Sequence, residues 1–156
     1  RENFKLRNDD IVICTYWKAG THFMKKILLE ICRNGKETKL NKRFENIDLG
    51  VNIPCIEAIP GALGLEEWNK WLQSTQDNDP RILHTHLAPK QFPAKEIDKD
   101  CKLIYVARDP RDVAVSMHFM INFVADLQYS APDVNDTADL FVNGDMWYND
   151  YWDYNI

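Results

Sequence analysis

Three short apolar runs mark the chain, each flanked by polar or turn-forming residues. They cover Ile11–Thr15, Ile82–Thr85 and residues 103–107. Continuous apolar runs of this length are typical of strands that are buried on both faces of a parallel sheet. The pattern therefore predicts three buried parallel strands.

The first run leads directly into a helical pattern. Phe23, Ile27 and Ile31 recur at i, i+4 and i+8, while Lys25 falls on another side of the same turns. This spacing places apolar side chains on one stripe of a helix. We expect a helix that packs the stripe of Phe23, Ile27 and Ile31 against the sheet and directs Lys25 elsewhere.

A second helix follows the third run. Asp109 stands where an N-cap belongs and Pro110 at the first helical position. Between the runs, residues 66–74 predict a short amphipathic helix, residues 33–64 are irregular, and the acidic residues 125–139 predict an exposed connection. The expected fold is α/β: one three-layer α-β-α domain with a central parallel sheet, extending over the whole chain.

The junction between the first strand and its helix, "TYWKAGTHF", predicts an anion site. A strand that ends in a glycine loop and continues as a helix directs backbone N–H groups and the helix dipole at one point. Lys18 precedes Gly20, so the ATP-binding template G-x-x-x-x-G-K-[ST] is not met. Such a junction also occurs in ordinary packing. Ligands of parallel sheets bind at the carboxyl ends of strands, where His84, His86 and Arg108 also fall.

Composition limits the ligand to a small one. The 156 residues are 45% hydrophobic with a net charge of −5, which disfavours nucleic-acid and membrane-surface binding and requires any anion site to be a local basic pocket. The chain has no apolar signal segment and no run of 18 apolar residues. Its four cysteines form no C-x-x-C pair, which favours reduced thiols in a cytoplasmic protein: Cys14, Cys32, Cys55 and Cys101.

Three segments, in order, resemble the cytosolic sulfotransferases. "FKLRNDDIVICTYWKAGTHF" resembles their T-Y-P-K-S-G-T loop, "RILHTHLAPKQFP" their K-T-H-L-P segment, and "CKLIYVARDPRDVAVS" their Y-V-A-R-N-x-K-D-V-A-V-S segment. An F-x-x-G-x-x-x-Y pattern follows at Phe141, Gly144 and Tyr148. The resemblance implies transfer of a sulfonate from 3'-phosphoadenosine 5'-phosphosulfate (PAPS) to a hydroxyl or amine of a phenol, alcohol or steroid-like acceptor, with no metal.

The same resemblance implies roles for individual residues. His86 is the expected general base, and Lys18 stabilises charge on the leaving phosphate. His84 and His86 are expected beside the acceptor, and Arg108 and Ser116 on the 3'-phosphate. The 5'-phosphosulfate side of the co-substrate is expected to contact Lys18, Ala19, Gly20, Thr21, His22 and Phe23, with the Phe23 ring on adenine.

The chain departs from the family pattern at several positions. In the glycine loop, Trp17 replaces a proline and Ala19 replaces a serine, and His22 and Phe23 stand where threonine and tryptophan are usual. His84 replaces the lysine that lies two residues before the expected base. The family's R-K-G-x-x-G-D-W segment does not occur. We therefore expect an amino-terminal part of a sulfotransferase domain, incomplete as it stands, whose complete form is a possible homodimer.

Other interpretations remain open. The chain is alternatively a non-catalytic nucleotide-binding fragment or, on the phosphate loop alone, a nucleoside or nucleotide kinase. A zinc site at His84, His86 and His118 with the cysteines is disfavoured, because the sequence offers no convincing third and fourth ligand to the H-x-H pair. An acceptor pocket is expected to use aromatic and methionine side chains such as Phe44, Met117, Phe119 and Met120.

Overall fold

A parallel three-stranded sheet organises the fold. Its strands are β1 (Ile11–Thr15), β2 (Ile82–Thr85) and β3 (Lys102–Val106), in the order β2-β1-β3. The register pairs Cys14 with Thr85 and with Tyr105, so the carboxyl ends of all three strands lie at one edge. The computed structural model describes residues 6–33, 53, 55–57, 80–88, 90–91, 101–125, 132–146 and 150–155.

Four described helices accompany the sheet: α1 (Thr21–Arg33), α2 (Pro110–Ala125), α3 (Val134–Val142) and α4 (Tyr151–Asn155). The α/β fold with a parallel sheet flanked by helices is confirmed. None of the helices described combines the length and apolar character needed to span a membrane. Two buried clusters form the core. One joins β1, α1 and β2 through Ile13, Leu28, Leu29, Ile53 and Ile82, and the other joins α2, α3 and α4 through Val113, Met117, Phe141, Tyr151 and Tyr154.

The buried face of α1 differs from the predicted one. Phe23 is 72% exposed and Ile31 is 64% exposed, whereas Lys25 is only 1% exposed. Leu28 and Leu29 occupy the core instead of the predicted stripe. The helix turns its Lys25 face inward because the Lys25 ammonium donates to the backbone oxygen of Ile53 at 3.0 Å, which satisfies a charge that apolar packing alone would exclude.

Two further expectations are corrected. The third strand begins at Lys102 and is an edge strand of the described sheet, so Leu103 and Tyr105 remain half-exposed rather than buried. The second half of the predicted connection over residues 125–139 is the start of α3. Its acidic residues form a capping box. The Asp133 carboxylate accepts from the Asp136 backbone amide, and the Asp136 carboxylate accepts from the Asp133 backbone amide. The predicted helix over 66–74 lies outside the described residues.

A buried ion pair joins the beginnings of the strands. Asp10, which is fully buried, accepts two hydrogen bonds from the Arg81 guanidinium at 2.8 and 2.5 Å. The backbone oxygen of Asp10 also accepts from Lys102, and the Ile11 amide donates to Arg81. Asp10 therefore contacts the residues that begin both neighbouring strands.

We expect Asp10→Ala to lower the free energy of unfolding by about 3–5 kcal/mol, because it leaves the Arg81 charge buried without its carboxylate. Asp9→Ala is the matched control, since Asp9 forms an exposed pair with Arg7 whose loss costs at most about 1 kcal/mol. Urea denaturation of both variants measures the difference. Equal losses would show that the Asp10–Arg81 pair does not hold the sheet.

Candidate functional site

The loop between β1 and α1 has a constrained backbone. Lys18 has a φ of +62° and Gly20 a φ of +118°. A Cβ at Gly20 would meet Val106 only at 3.8 Å, so glycine is required by its backbone conformation rather than by lack of space. Lys18 is a residue with a Cβ in the left-handed region, a conformation that costs about 1–2 kcal/mol and recurs at functional sites.

The amino end of α1 has the backbone arrangement that is typical of anion sites. The Met24 amide donates to Gly20 oxygen at 2.9 Å and closes the first helical turn, so the amides of Thr21, His22 and Phe23 project from the helix start. The Ala19 amide donates to Tyr16 oxygen at 3.1 Å instead. The Ala19 amide therefore closes the loop on Tyr16 and is not among the amides at the start of the helix.

Arg108 lies against this loop, although it follows a different strand. Its Nη1 donates to the backbone oxygen of Lys18 at 3.1 Å, and its Nε lies 3.6 Å from the Asp112 carboxylate. The Tyr151 hydroxyl donates to the Arg108 backbone oxygen. Arg108 and the loop therefore share one edge, as the motif order predicts. Ser116 lies further along α2 and is half-buried.

His86 follows β2 and is anchored to β1. Its Nδ1 lies 2.8 Å from the Thr15 backbone oxygen and 3.3 Å from the Thr15 hydroxyl. A carbonyl oxygen only accepts, so Nδ1 carries the proton and Nε2 carries the lone pair. The Thr15 hydroxyl lies 2.6 Å from the Thr21 hydroxyl. A hydrogen-bonded chain therefore links the loop to His86 through Thr15 and Thr21.

The surroundings of His86 favour its neutral form. Burial lowers its pKa below the usual range, and the nearby Lys25 and His22 lower it further, against the opposing effects of the Thr15 carbonyl and Glu57. The indole of Trp17 lies beside the imidazole, with 5.5 Å between ring centroids. A neutral imidazole with its lone pair on Nε2 is competent to accept a proton.

Glu57 is a positioning residue that the sequence did not reveal. Its carboxylate accepts the His86 amide at 2.6 Å and the Thr85 hydroxyl at 2.8 Å. These bonds fix the backbone where β2 ends and thereby orient the residue that carries the imidazole. Residues 33–64 offer no periodic signal, so a carboxylate there cannot be assigned to a strand end 29 residues away.

His84 and Lys25 converge on one carbonyl. The Nδ1 of His84 and the ammonium of Lys25 each lie 3.0 Å from Ile53 oxygen, and both side chains are buried. The His84 and His86 rings meet edge to face at 5.3 Å. His84 takes the motif position of a lysine, and Lys25 from α1 supplies a buried positive charge near His86 instead.

Cys55 joins the two histidines. It forms an isolated parallel bridge with His84, and its Sγ and one ring nitrogen of each histidine lie within 4.8 Å of one another. The sequence did not reveal this third ligand, because Cys55 lies in the irregular region. His118 lies elsewhere and contacts Thr137 at 3.1 Å.

Of the residues expected around the acceptor, Met117 and Met120 share one core cluster, whereas Phe119 does not belong to it. Met117 is fully buried in the core and Phe119 is exposed. Met120 packs partly against the same core as Met117, and Phe44 lies outside the described residues. Phe23 is exposed at the start of α1, where its ring is accessible for stacking.

Comparison with known proteins identifies a family. A model described as "Sulfotransferase domain" matches residues 8–155. The chain is 38% identical to human sulfotransferase 1E1 over 125 residues, which is 80% of this chain and 40% of that protein. It is 30% identical to dog sulfotransferase 1B1 over 156 residues, which is 98% of this chain and 49% of that protein. The chain thus spans about half the length of the curated relatives it matches.

Solved structures agree with the sequence matches. The structure of mouse sulfotransferase SULT7A1 complexed with PAP matches this chain with 25% identity and a TM-score of 0.66. The match includes 98% of this chain and 48% of the mouse chain. Retinol dehydratase, solved with androsterone and the inactive cofactor PAP, has a TM-score of 0.68 at 22% identity, with coverages of 97% and 50%. The second likeness concerns the fold alone.

The left-handed backbone of Lys18 predicts different stabilities for two substitutions at this position. We expect Lys18→Gly to be more stable than Lys18→Ala by about 1 kcal/mol, because only glycine adopts a φ of +62° without a steric cost. Thermal denaturation of the two variants measures this difference. Both variants lose the Lys18 ammonium, so an equal loss of anion affinity in the two variants reports the loss of charge alone. Equal stabilities of the two variants would show that the backbone at position 18 is not strained.

Proposed function

Since the chain belongs to the sulfotransferase family, we propose that it supplies the donor-binding edge and the general base of a PAPS-dependent sulfotransferase. One observation carries the proposal: the Thr15–Thr21 hydroxyl pair links the anion-binding loop to an imidazole whose Nδ1 is anchored on Thr15. An anion site and a proton acceptor joined in this way suit transfer of a charged group to a hydroxyl. The same family motifs favour a small phenol, alcohol or steroid-like acceptor.

The donor set fits a phosphorylated nucleotide. The helix-start amides of Thr21, His22 and Phe23, the Lys18 ammonium and the Arg108 guanidinium are all donors at one strand edge. A co-substrate with a 5'-phosphosulfate and a 3'-phosphate supplies the sulfonate when bound. We assign its 5' side to the loop, its adenine to Phe23, and its 3'-phosphate to Arg108 and Ser116.

The chain's own residues account for the proton and the charge. His86 Nε2 accepts the acceptor hydroxyl's proton, and the Thr15 carbonyl stabilises the resulting imidazolium through Nδ1–H. The Lys18 ammonium stabilises negative charge that develops on the leaving phosphate. The His84 ring meets the His86 ring edge to face, and we assign it to the acceptor side, while buried Lys25 provides a fixed positive charge nearby.

The proposal extends to the ligand class, the location and the oligomeric state of the protein. An acidic chain of net charge −5 with a local cluster of donors suits a small anionic ligand in the cytoplasm rather than nucleic acid. A homodimer of the complete enzyme is part of the same proposal. The alternatives of a non-catalytic nucleotide-binding fragment and of a kinase have no separate structural support, and the binding and turnover measurements below discriminate among them.

We expect adenosine 3',5'-bisphosphate to bind the 156-residue chain in excess chelator, because Lys18, Arg108 and the helix-start amides supply the positive charge. Isothermal titration calorimetry with and without Mg²⁺ measures the affinity, and ATP with Mg²⁺ is the matched comparison ligand. Binding that appears only with Mg²⁺, or that favours ATP, would support the kinase instead.

In any active protein that contains these residues, we expect His86→Ala to reduce turnover by about 100- to 10,000-fold while the affinity for adenosine 3',5'-bisphosphate stays within a few-fold. A general base acts on the acceptor and contacts the nucleotide little. His118→Gln is the control, since His118 contacts Thr137 away from the site. Wild-type turnover by His86→Ala at saturating acceptor would remove His86 from the mechanism.

A further inference from the structure

Three potential metal ligands meet at the end of β2. The Cys55 thiol and one ring nitrogen from each of His84 and His86 all lie within 4.8 Å of one another. Two chain segments contribute them, and the parallel bridge between Cys55 and His84 brings the segments together. The sheet edge itself therefore assembles this cluster.

Hydrogen bonds orient both imidazoles for metal binding. His84 Nδ1 lies 3.0 Å from Ile53 oxygen and His86 Nδ1 lies 2.8 Å from Thr15 oxygen. Because a carbonyl only accepts, each ring carries its proton on Nδ1 and its lone pair on Nε2. A carbonyl that holds the outer nitrogen of a metal-binding histidine in this way fixes the ring and raises its basicity as a ligand.

The ligand types select the metal. Two imidazoles and a thiolate favour zinc and its neighbours in the transition series over Mg²⁺ or Ca²⁺, which prefer oxygen. Tetrahedral zinc with these ligands places the ligand atoms roughly 3.3 to 3.6 Å apart. The ligand atoms lie within 4.8 Å of one another, so the longest separation needs a contraction of up to about 1.5 Å, within reach of side-chain rotation.

Charged groups of both signs lie around the cluster, and the Glu57 carboxylate and a Cys55 thiolate oppose the positive charge of Lys25. Glu57 holds the His86 amide, and Lys25 shares the Ile53 carbonyl with His84. A thiolate at Cys55 offsets one charge of a divalent ion, and its proton is released to the buffer on binding. Three protein ligands leave a fourth position for water.

We propose that Cys55, His84 and His86 form a binding site for a divalent transition-metal ion of the zinc class. The proposal has a consequence for activity that rests on the function proposed above. An ion on His86 Nε2 occupies the lone pair that would accept the acceptor's proton. Zinc binding and base catalysis at His86 are therefore mutually exclusive, and zinc inhibits transfer reversibly.

Cobalt(II) titration of the 156-residue chain tests the site without reference to activity. We expect one equivalent of Co²⁺ to give visible bands of tetrahedral intensity and a near-ultraviolet thiolate-to-cobalt band, both removed by Zn²⁺. Cys55→Ser should remove the thiolate band and weaken Co²⁺ binding at least about 100-fold, and His84→Gln should weaken it similarly. Cys101→Ser is the matched thiol control and should retain both bands. Unchanged spectra in Cys55→Ser would overturn the site.

Alkylation of the wild-type chain keeps the test informative if a variant does not fold. Peptide mass spectrometry measures the rate at which iodoacetamide labels each cysteine. Zn²⁺ should slow the labelling of Cys55 at least tenfold more than that of Cys101. Equal slowing at both cysteines, or none at Cys55, would contradict the proposal.

A turnover assay separates the two proposals. In an active protein that contains these residues, Zn²⁺ should inhibit, a chelator should restore activity, and Cys55→Ser should lose zinc inhibition relative to its own metal-free rate. Cobalt binding at Cys55 without zinc inhibition would keep Cys55 as a ligand and overturn the inference that the ion occupies the lone pair used by the base at His86. Absence of the cobalt bands would reject the metal site and leave the base assignment intact.

Discussion

The buried ion pair between Asp10 and Arg81 is the constraint on which the sheet edge depends. It joins residues 71 positions apart immediately before β1 and β2 begin, while the Asp10 carbonyl accepts the first amide of β3. In a parallel sheet, alignment at one end determines alignment at the other. The carboxyl ends of the strands therefore coincide a few residues later, and this brings the loop after β1, His86 after β2 and Arg108 after β3 to one place.

The features that the sequence predicted are those encoded locally. Each strand is a short apolar run, and the Asp109–Pro110 start of α2 follows from capping chemistry, with the Asp109 carboxylate accepting the Arg111 amide. The glycine loop is recognisable because its conformation demands one residue type at Gly20. Site residues within these segments, such as His86 and Arg108, could accordingly be placed at one edge from the order of motifs alone.

The features that the sequence did not predict depend on distant partners. A lysine on an amphipathic helix is ordinarily solvated, and the Ile53 carbonyl, 28 residues along the chain, helps to make the burial of Lys25 tolerable. Glu57 and Cys55 acquire their positions through a single bridge to β2 rather than through a strand of their own. The acidic start of α3 resembled a loop because Asp133 and Asp136 favour both turns and helix caps.

The exchange of lysine for histidine at position 84 changes what the site can do. In the family pattern this position carries a lysine, whose ammonium has no lone pair for a metal ion, whereas His84 offers an imidazole nitrogen. The positive charge near His86 now comes from Lys25 on a different element, and the Ile53 carbonyl holds both side chains. Because the carbonyl fixes the tautomer of His84 while it accepts from the ammonium, one backbone oxygen orients a potential metal ligand and holds a positive charge beside it. The two proposals, a base at His86 and an ion held with Cys55 and His84, both use the Nε2 lone pair of His86, and occupancy of that lone pair decides between them.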